Sequence, residues 1–244
     1  AFGYRNEASG NYSSAFGYRN EASGTDSSAF GSSNTASGGN SSAFGYDNTA
    51  SGFSSSAVGY ANTASGSGSS AIGLASTASG ENSSAVGYAN TASGENSSAF
   101  GASATANIDH EIAFNNSPDH GQESHFIFRE ETTDATQTKL YLDDAPAYLV
   151  LPTDTFIGFD AKVIGVNTAN GDMNSYFFKG HGKNYQGTTS LSSTITKEVF
   201  EEVAGWDATI EADNTNNSID IKVTGAASTT IRWTAVMTAA KYSI

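Results

Sequence analysis

The sequence predicts an all-β chain in two parts, a parallel β-roll of 14-residue coils followed by an antiparallel β-sandwich or jelly-roll-like domain. Two observations carry this prediction. Residues 1–106 repeat with a fixed period of 14 and no insertion, the signature of stacked structural repeats. Residues 127–244 show short runs of alternating apolar and polar residues separated by turn residues, the pattern of half-buried strands.

Seven full repeats start at Ala1, Ala15, Ala29, Ala43, Ala57, Ala71 and Ala85, and an eighth starts at Ala99 and loses the pattern after Ala106. Position 3 is always Gly and position 8 always Ala, while position 2 is always large and apolar: Phe2, Phe16, Phe30, Phe44, Val58, Ile72, Val86 and Phe100. Two short extended segments per repeat, SAFGY and NTASG, alternate with tight corners. Small residues are needed where backbones approach closely, and Gly can take a positive φ. Position 2 is expected to stack on itself from coil to coil as a narrow hydrophobic ladder. At the usual strand spacing of about 4.8 Å per coil, the rod is on the order of 40 Å long.

One bulky residue and two alanines per coil make a core too thin to offset chain entropy in a single chain. The repeat alone therefore predicts a homo-oligomer in which several rolls pack side by side.

The pattern S-x-A-[FVI]-G-x-x-x-x-A-x-G over residues 1–106 resembles the head repeat of trimeric autotransporter adhesins, the YadA-like heads. The resemblance implies a left-handed parallel β-roll and a homotrimer. Similar repeats occur in phage tail fibres, so they indicate an architecture rather than a cell type.

The net charge is −14, of which residues 1–106 contribute −4 (six acidic, two basic) and residues 107–244 contribute −10 (nineteen acidic, nine basic). This balance argues against nucleic acid or an anionic membrane as partner. There is no Cys, so disulfides and thiolate metal sites are excluded. No apolar run is long enough to span a membrane, so no membrane insertion is expected. The chain starts inside a repeat without Met, and it is expected to be a piece of a longer protein.

Residues 107–126, with three of the four histidines, read as a neck. Beyond them HFIFRE, KLYLDD, AYLVLP, TFIGFDAKVIGV, SYFFKGHG, ATIEAD, SIDIKVTG and TTIRWTAVM read as strands; only TKEVFEEVAG is expected to be helical. The segments TTDATQTKLYLDD, LVLP and WDATIEADNTNNSIDIKVTGAASTTIRWTAV are similar to a C-terminal domain of phage and prophage tail-fibre proteins. That resemblance covers roughly 127–244 and implies a trimeric fibre tip contacting a cell surface, displayed outside the cell or on a virion. It carries over no catalytic residue. The ending AAKYSI departs from the family, which more often continues with an acidic residue.

Several candidate sites also have simpler readings. The Thr column at position 7, from Thr35 to Thr105, can order water, but Thr and Ser also favour strands, and Glu7 and Glu21 break the column. His110, His120 and His125 match no local metal-ligand spacing. Asp213, Asn214, Asn216 and Asn217 offer oxygen ligands without the calcium-loop pattern, so a polar turn is expected. No cofactor or metal is predicted.

Trp206, Trp233, Tyr141, Tyr148, Tyr176 and Tyr185 can stack on sugars, although Trp233 reads as core. Within GHGKNYQG, read as a turn, His181, Lys183, Asn184 and Tyr185 are the candidate ligand-binding residues for a cell-surface glycan or other surface receptor. No nucleophile elbow is present. The acidic pairs Glu130–Glu131, Asp143–Asp144 and Glu201–Glu202 put neighbours on opposite strand faces, so a glycoside-hydrolysing pair would have to be assembled by the fold. The expectation is a non-enzymatic fibre, with a tail-spike-like polysaccharide depolymerase or a purely structural fibre as alternatives.

Overall fold

The computed structural model describes residues 1–115, 121–142 and 147–243. They form two compact units, Ala1–Gln122 and Glu123–Ile244.

The first unit is a parallel β-solenoid. Each coil contributes one strand of up to five residues, such as Ser42–Tyr46, and one of two residues, such as Thr49–Ala50. Each pairs in parallel with its counterpart 14 residues away, as in Ala43↔Ala57 and Thr49↔Thr63. The corners at positions 5 and 12 take positive φ, at Arg19 (53°) and Asp26 (55°) for example, and only Gly68 among them is a glycine.

The glycines serve close approach between coils. A Cβ on Gly45, in a strand at φ 120°, or on Gly52, where φ is ordinary, would overlap the carbonyl oxygen of the equivalent Gly in the next coil.

Through the repeats, the apolar core of the solenoid is alanine alone. Ala15, Ala29, Ala43, Ala57, Ala71, Ala85 and Ala99 at position 1, and Ala22 to Ala106 at position 8, are fully buried. The position-2 residues, expected inside, lie on the outer surface instead: Phe16 is 43% exposed and Ile72 41%. Successive residues of a strand point to opposite faces, so burying the position-1 methyl turns position 2 outward. The rings do stack along the rod, with Phe16–Phe30 centroids 4.9 Å apart and Phe30–Phe44 centroids 5.2 Å apart. Tyr46 and Tyr60 at position 4 form a second outer stack at 5.2 Å.

Beside the alanines runs a buried asparagine ladder at position 6. Asn34 Nδ2 donates to Phe30 O (2.9 Å) in its own coil and to Gly45 O (2.8 Å) in the next. Its Oδ1 accepts from the backbone N–H of Asn48 (3.1 Å) and from Asn48 Nδ2 (3.0 Å). Every buried polar group of the rung is thus answered by a neighbouring coil.

The coil geometry continues past the recognisable repeat, as Ile112–Asn115 pairs with Ser98–Gly101 in the same register. The last coil is closed by side chains. Buried Glu111 accepts from the backbone N–H groups of Asn107 (3.0 Å) and Ile108 (3.1 Å), and from Gln122 Nε2 (3.1 Å). Gln122 in turn pairs with both the N–H and the C=O of Thr105 (2.8 and 2.6 Å), so the exposed end of the short-strand ladder is answered.

The second unit is a sandwich of two antiparallel sheets. The larger sheet runs in the order Gln122–Thr132, Ile231–Ser243, Thr155–Asn167, Met173–Tyr185, Thr188–Leu191, with Thr196–Glu201 also paired to Met173–Tyr185. The smaller contains Gln137–Lys139, Leu149–Val150, Asp207–Asp213 and Ser218–Thr224. Ile157, Phe159, Val163, Tyr176, Phe178, Trp233 and Met237 from one sheet, with Ile219, Ile221 and Val223 from the other, form the core.

Two glycines mark tight packing here, since a Cβ on Gly165 would strike the Trp233 ring and one on Gly182 would strike the Ile219 side chain. The expected helix over TKEVFEEVAG is a strand, Thr196–Glu201, with every residue exposed. Pairing to Met173–Tyr185 satisfies its backbone and overrides the weak helical pattern.

Candidate receptor-binding face

The segment GHGKNYQG is not a loop. Residues up to Tyr185 extend the Met173–Tyr185 strand, and the turn comes only after it, where Gln186 and Gly187 take positive φ. Gly180 and Gly182 fit inside because the side chains of Ile195 and Ile219 fill the space a Cβ would need. Alternation then separates the four candidate residues. His181, Lys183 and Tyr185 face outward, whereas Asn184 is 1% exposed and its Nδ2 donates to Leu151 O at 2.7 Å.

Cross-strand register builds an outer face from three long strands. One row is Lys183–Phe156–Tyr242 and the next is His181–Gly158–Ala240. The small residues Gly158 and Ala240 sit low between large neighbours, and the His181 ring lies over Gly158. The result is a cavity of about 680 Å³, lined among others by Phe156, His181, Lys183, Ser190, Ser192 and Tyr242. Tyr185 flanks it, its ring 6.2 Å from that of Phe156. Lys183 Nζ stands 5.9 Å from the Tyr185 ring centroid.

A second cavity of about 480 Å³ lies further along the same strands. Its rows are Lys179–Asp160–Thr238 and Phe177–Lys162–Val236. Lys179 pairs with Asp160 at 3.3 Å, and Lys162 Nζ sits 5.1 Å over the Phe177 ring.

The other sequence candidates fall elsewhere. Trp206 and Trp233 are buried and meet edge to face at 5.9 Å; Tyr176 packs beside Trp233 at 6.4 Å. Trp233 Nε1 donates to Thr132 Oγ1 at 2.9 Å. Tyr141 and Tyr148 pair with each other at 5.8 Å. The Thr column stands half-buried on the short-strand ladder.

His110 occupies a positive-φ corner, and His125 contacts Glu123 at 2.7 Å. His120 and the pair Asp143–Asp144 lie outside the described residues. Among the described residues no three His, Cys, Asp or Glu side chains are grouped to hold a metal.

Asp213 is engaged in a polar turn. It accepts from Lys139 Nζ, the backbone N–H of Thr215 and Asn216 Nδ2. These donors hold its carboxyl well below the usual carboxylate range. Burial works against the charge of Lys139, but Asp220 (2.5 Å) and Asp213 (2.9 Å) outweigh it and raise the ammonium above its ordinary value.

Residues 1–20, 22–48, 50–76 and 78–104 match the family model of the YadA head domain repeat. The match falls on the amino-terminal solenoid, whose coils are similar to YadA head repeats. No curated protein matches the chain as a relative. Among solved structures, the tailspike protein of Acinetobacter baumannii phage AM24 is similar at 10% identity and a TM-score of 0.29, covering 93% of this chain and 54% of that one. A tailspike protein of Acinetobacter baumannii bacteriophage Fri1, a capsular polysaccharide depolymerase, is similar at 9% identity and a TM-score of 0.31, covering 88% of this chain and 39% of that one. The chain thus spans about half or less of these proteins, and likeness at this level carries no argument about activity.

Proposed function

We propose that the chain is part of a homotrimeric extracellular or virion-borne fibre. Its YadA-type head trimerises and presents a sandwich tip that binds a cell-surface glycan or another surface receptor. The observation that carries this reading is the solenoid's inverted use of apolar residues. The apolar part of the interior is alanine methyl groups, beside a buried asparagine ladder, while Phe, Val, Ile and Tyr columns stand on the outside. A continuous exposed apolar stripe of this kind marks an interaction surface, and identical copies supply the matching stripe. Rigid trimeric display multiplies weak tip contacts by on the order of 10²–10⁴ in avidity.

The non-enzymatic reading is supported by the lining of the larger tip cavity, which has hydroxyls, an imidazole and an ammonium but no carboxylate. Glycoside hydrolysis ordinarily needs a carboxylate pair. The test is incubation of the full chain with intact bacteria and with their purified surface polysaccharides. Retention on cells without release of new reducing ends is the expected result. Release of oligosaccharides would make the chain a depolymerase, and absence of any cell retention would leave a structural fibre.

A further inference from the structure

We propose that the outer groove of the tip selects acidic saccharides, binding the carboxylate of a uronic or similar sugar at Lys183 and its ring faces on Phe156 and Tyr242. This rests on the reading of the tip as a receptor-binding module and names the ligand class.

The charge distribution carries the argument. The chain has 25 acidic residues and 11 Lys or Arg, yet the larger cavity is lined by Lys183 and His181 and by no Asp or Glu. Lys183 forms no ion pair among the described residues, in contrast to Lys139, Lys179, Lys197 and Lys222. The adjoining cavity adds Lys162, also without an ion pair, and its single carboxylate, Asp160, is already matched to Lys179. The two cavities follow each other along the same strands, with Lys183 and the row of Lys162 six residues apart, roughly 20 Å, a span of several sugars of a linear chain.

The remaining lining suits a sugar as well. Phe156, Phe177 and Tyr242 give flat apolar faces, and Ser190 and Ser192 give hydroxyls beside Lys183 and His181. Gly158 and Ala240 keep the floor low. A second copy of this chain is a poor occupant, because packing subunits here would bury Lys183 and Lys162 without an ion-pair partner at heavy desolvation cost. A polyanion supplies the missing charge and gains by charge-assisted hydrogen bonds.

The test uses the full chain and calorimetric titration with a panel of carboxylated oligosaccharides (oligogalacturonate, hyaluronan, alginate and polysialic acid fragments), each paired with its carboxyl-reduced neutral form. The expected result is binding of at least one acidic member, weakened by added salt and lost by about tenfold or more on carboxyl reduction or in Lys183→Met. Wild type and Lys183→Met are also compared for oligomeric mass and thermal midpoint, which should be unchanged.

Equal binding of acidic and neutral forms would overturn the acidic preference and leave the receptor reading standing. Failure of every acidic member, with retention on cells intact, would do the same. A Lys183→Met chain that changes mass would assign the groove to subunit packing and overturn the proposal. Loss of all cell binding by the wild type would instead remove the receptor reading itself.

Discussion

Asn34 Oδ1 accepts two hydrogen bonds from Asn48, one from its backbone N–H at 3.1 Å and one from its side-chain amide at 3.0 Å. Fourteen residues apart in sequence, the two are adjacent rungs of one buried ladder. With only methyl groups for a core, the solenoid relies on this ladder for much of its specificity of register.

Replacing Asn48 by Ala should therefore cost far more than its small volume implies. The change removes the side-chain donor to the carbonyls of Phe44 and Gly59 and strips the backbone and side-chain amides of Asn62 of their shared acceptor. Each unmet buried group costs roughly 1–3 kcal/mol. A drop of several degrees in the first thermal transition checks it.

Ser76 is the weak rung. Its hydroxyl reaches Gly87 O only at 3.5 Å, and Asn90 N–H reaches Ser76 Oγ only at 3.3 Å. Ser76→Asn should restore the pattern of the other coils and stabilise the solenoid by about 1 kcal/mol. Chemical denaturation of the two chains side by side measures the difference.

Gly52→Ala isolates close approach from backbone strain. Its φ is ordinary, yet a Cβ would overlap the Gly66 carbonyl oxygen. Coils must separate locally to admit it, so the variant should lose secondary structure by circular dichroism on mild heating, whereas Ser51→Ala on the exposed neighbour should not.

In the tip, the carboxyl of Asp213 is depressed by the hydrogen bond from Lys139 and then by those from Thr215 and Asn216. A carboxylate depressed in the folded state contributes stability that is present above its unfolded value, near pH 4, and is lost as pH falls below it. The tip's unfolding midpoint should fall on acidification below about pH 4. In Asp213→Asn the midpoint should start lower at neutral pH and respond less to acid.

Much of this architecture was legible in the sequence, because a strict 14-residue period with invariant Ala and Gly admits few backbones. The direction of the bulky residue was misread because Phe ordinarily ranks as core. A usable signal was available within the repeats. Position 1 never departs from Ala, as a fixed interior volume demands, while position 2 drifts among Phe, Val and Ile, as an outer surface permits.

The tip face was only half legible. Lys183 and His181 could be singled out, but Gly180 and Gly182 suggested a turn when they answer to Ile195 and Ile219, residues 15 and 37 positions further on. Phe156 and Tyr242 join the same row only through pairing of distant strands, which no local pattern encodes.

The central claim is that the exposed apolar columns of the solenoid are answered by other copies of the chain. Sedimentation equilibrium at micromolar concentration tests it most directly. The account predicts a mass three times the 25.1 kDa of one chain, falling toward that of a single chain when Phe30 and Ile72 are both changed to Glu. A stable monomer of the unaltered chain at that concentration would contradict it.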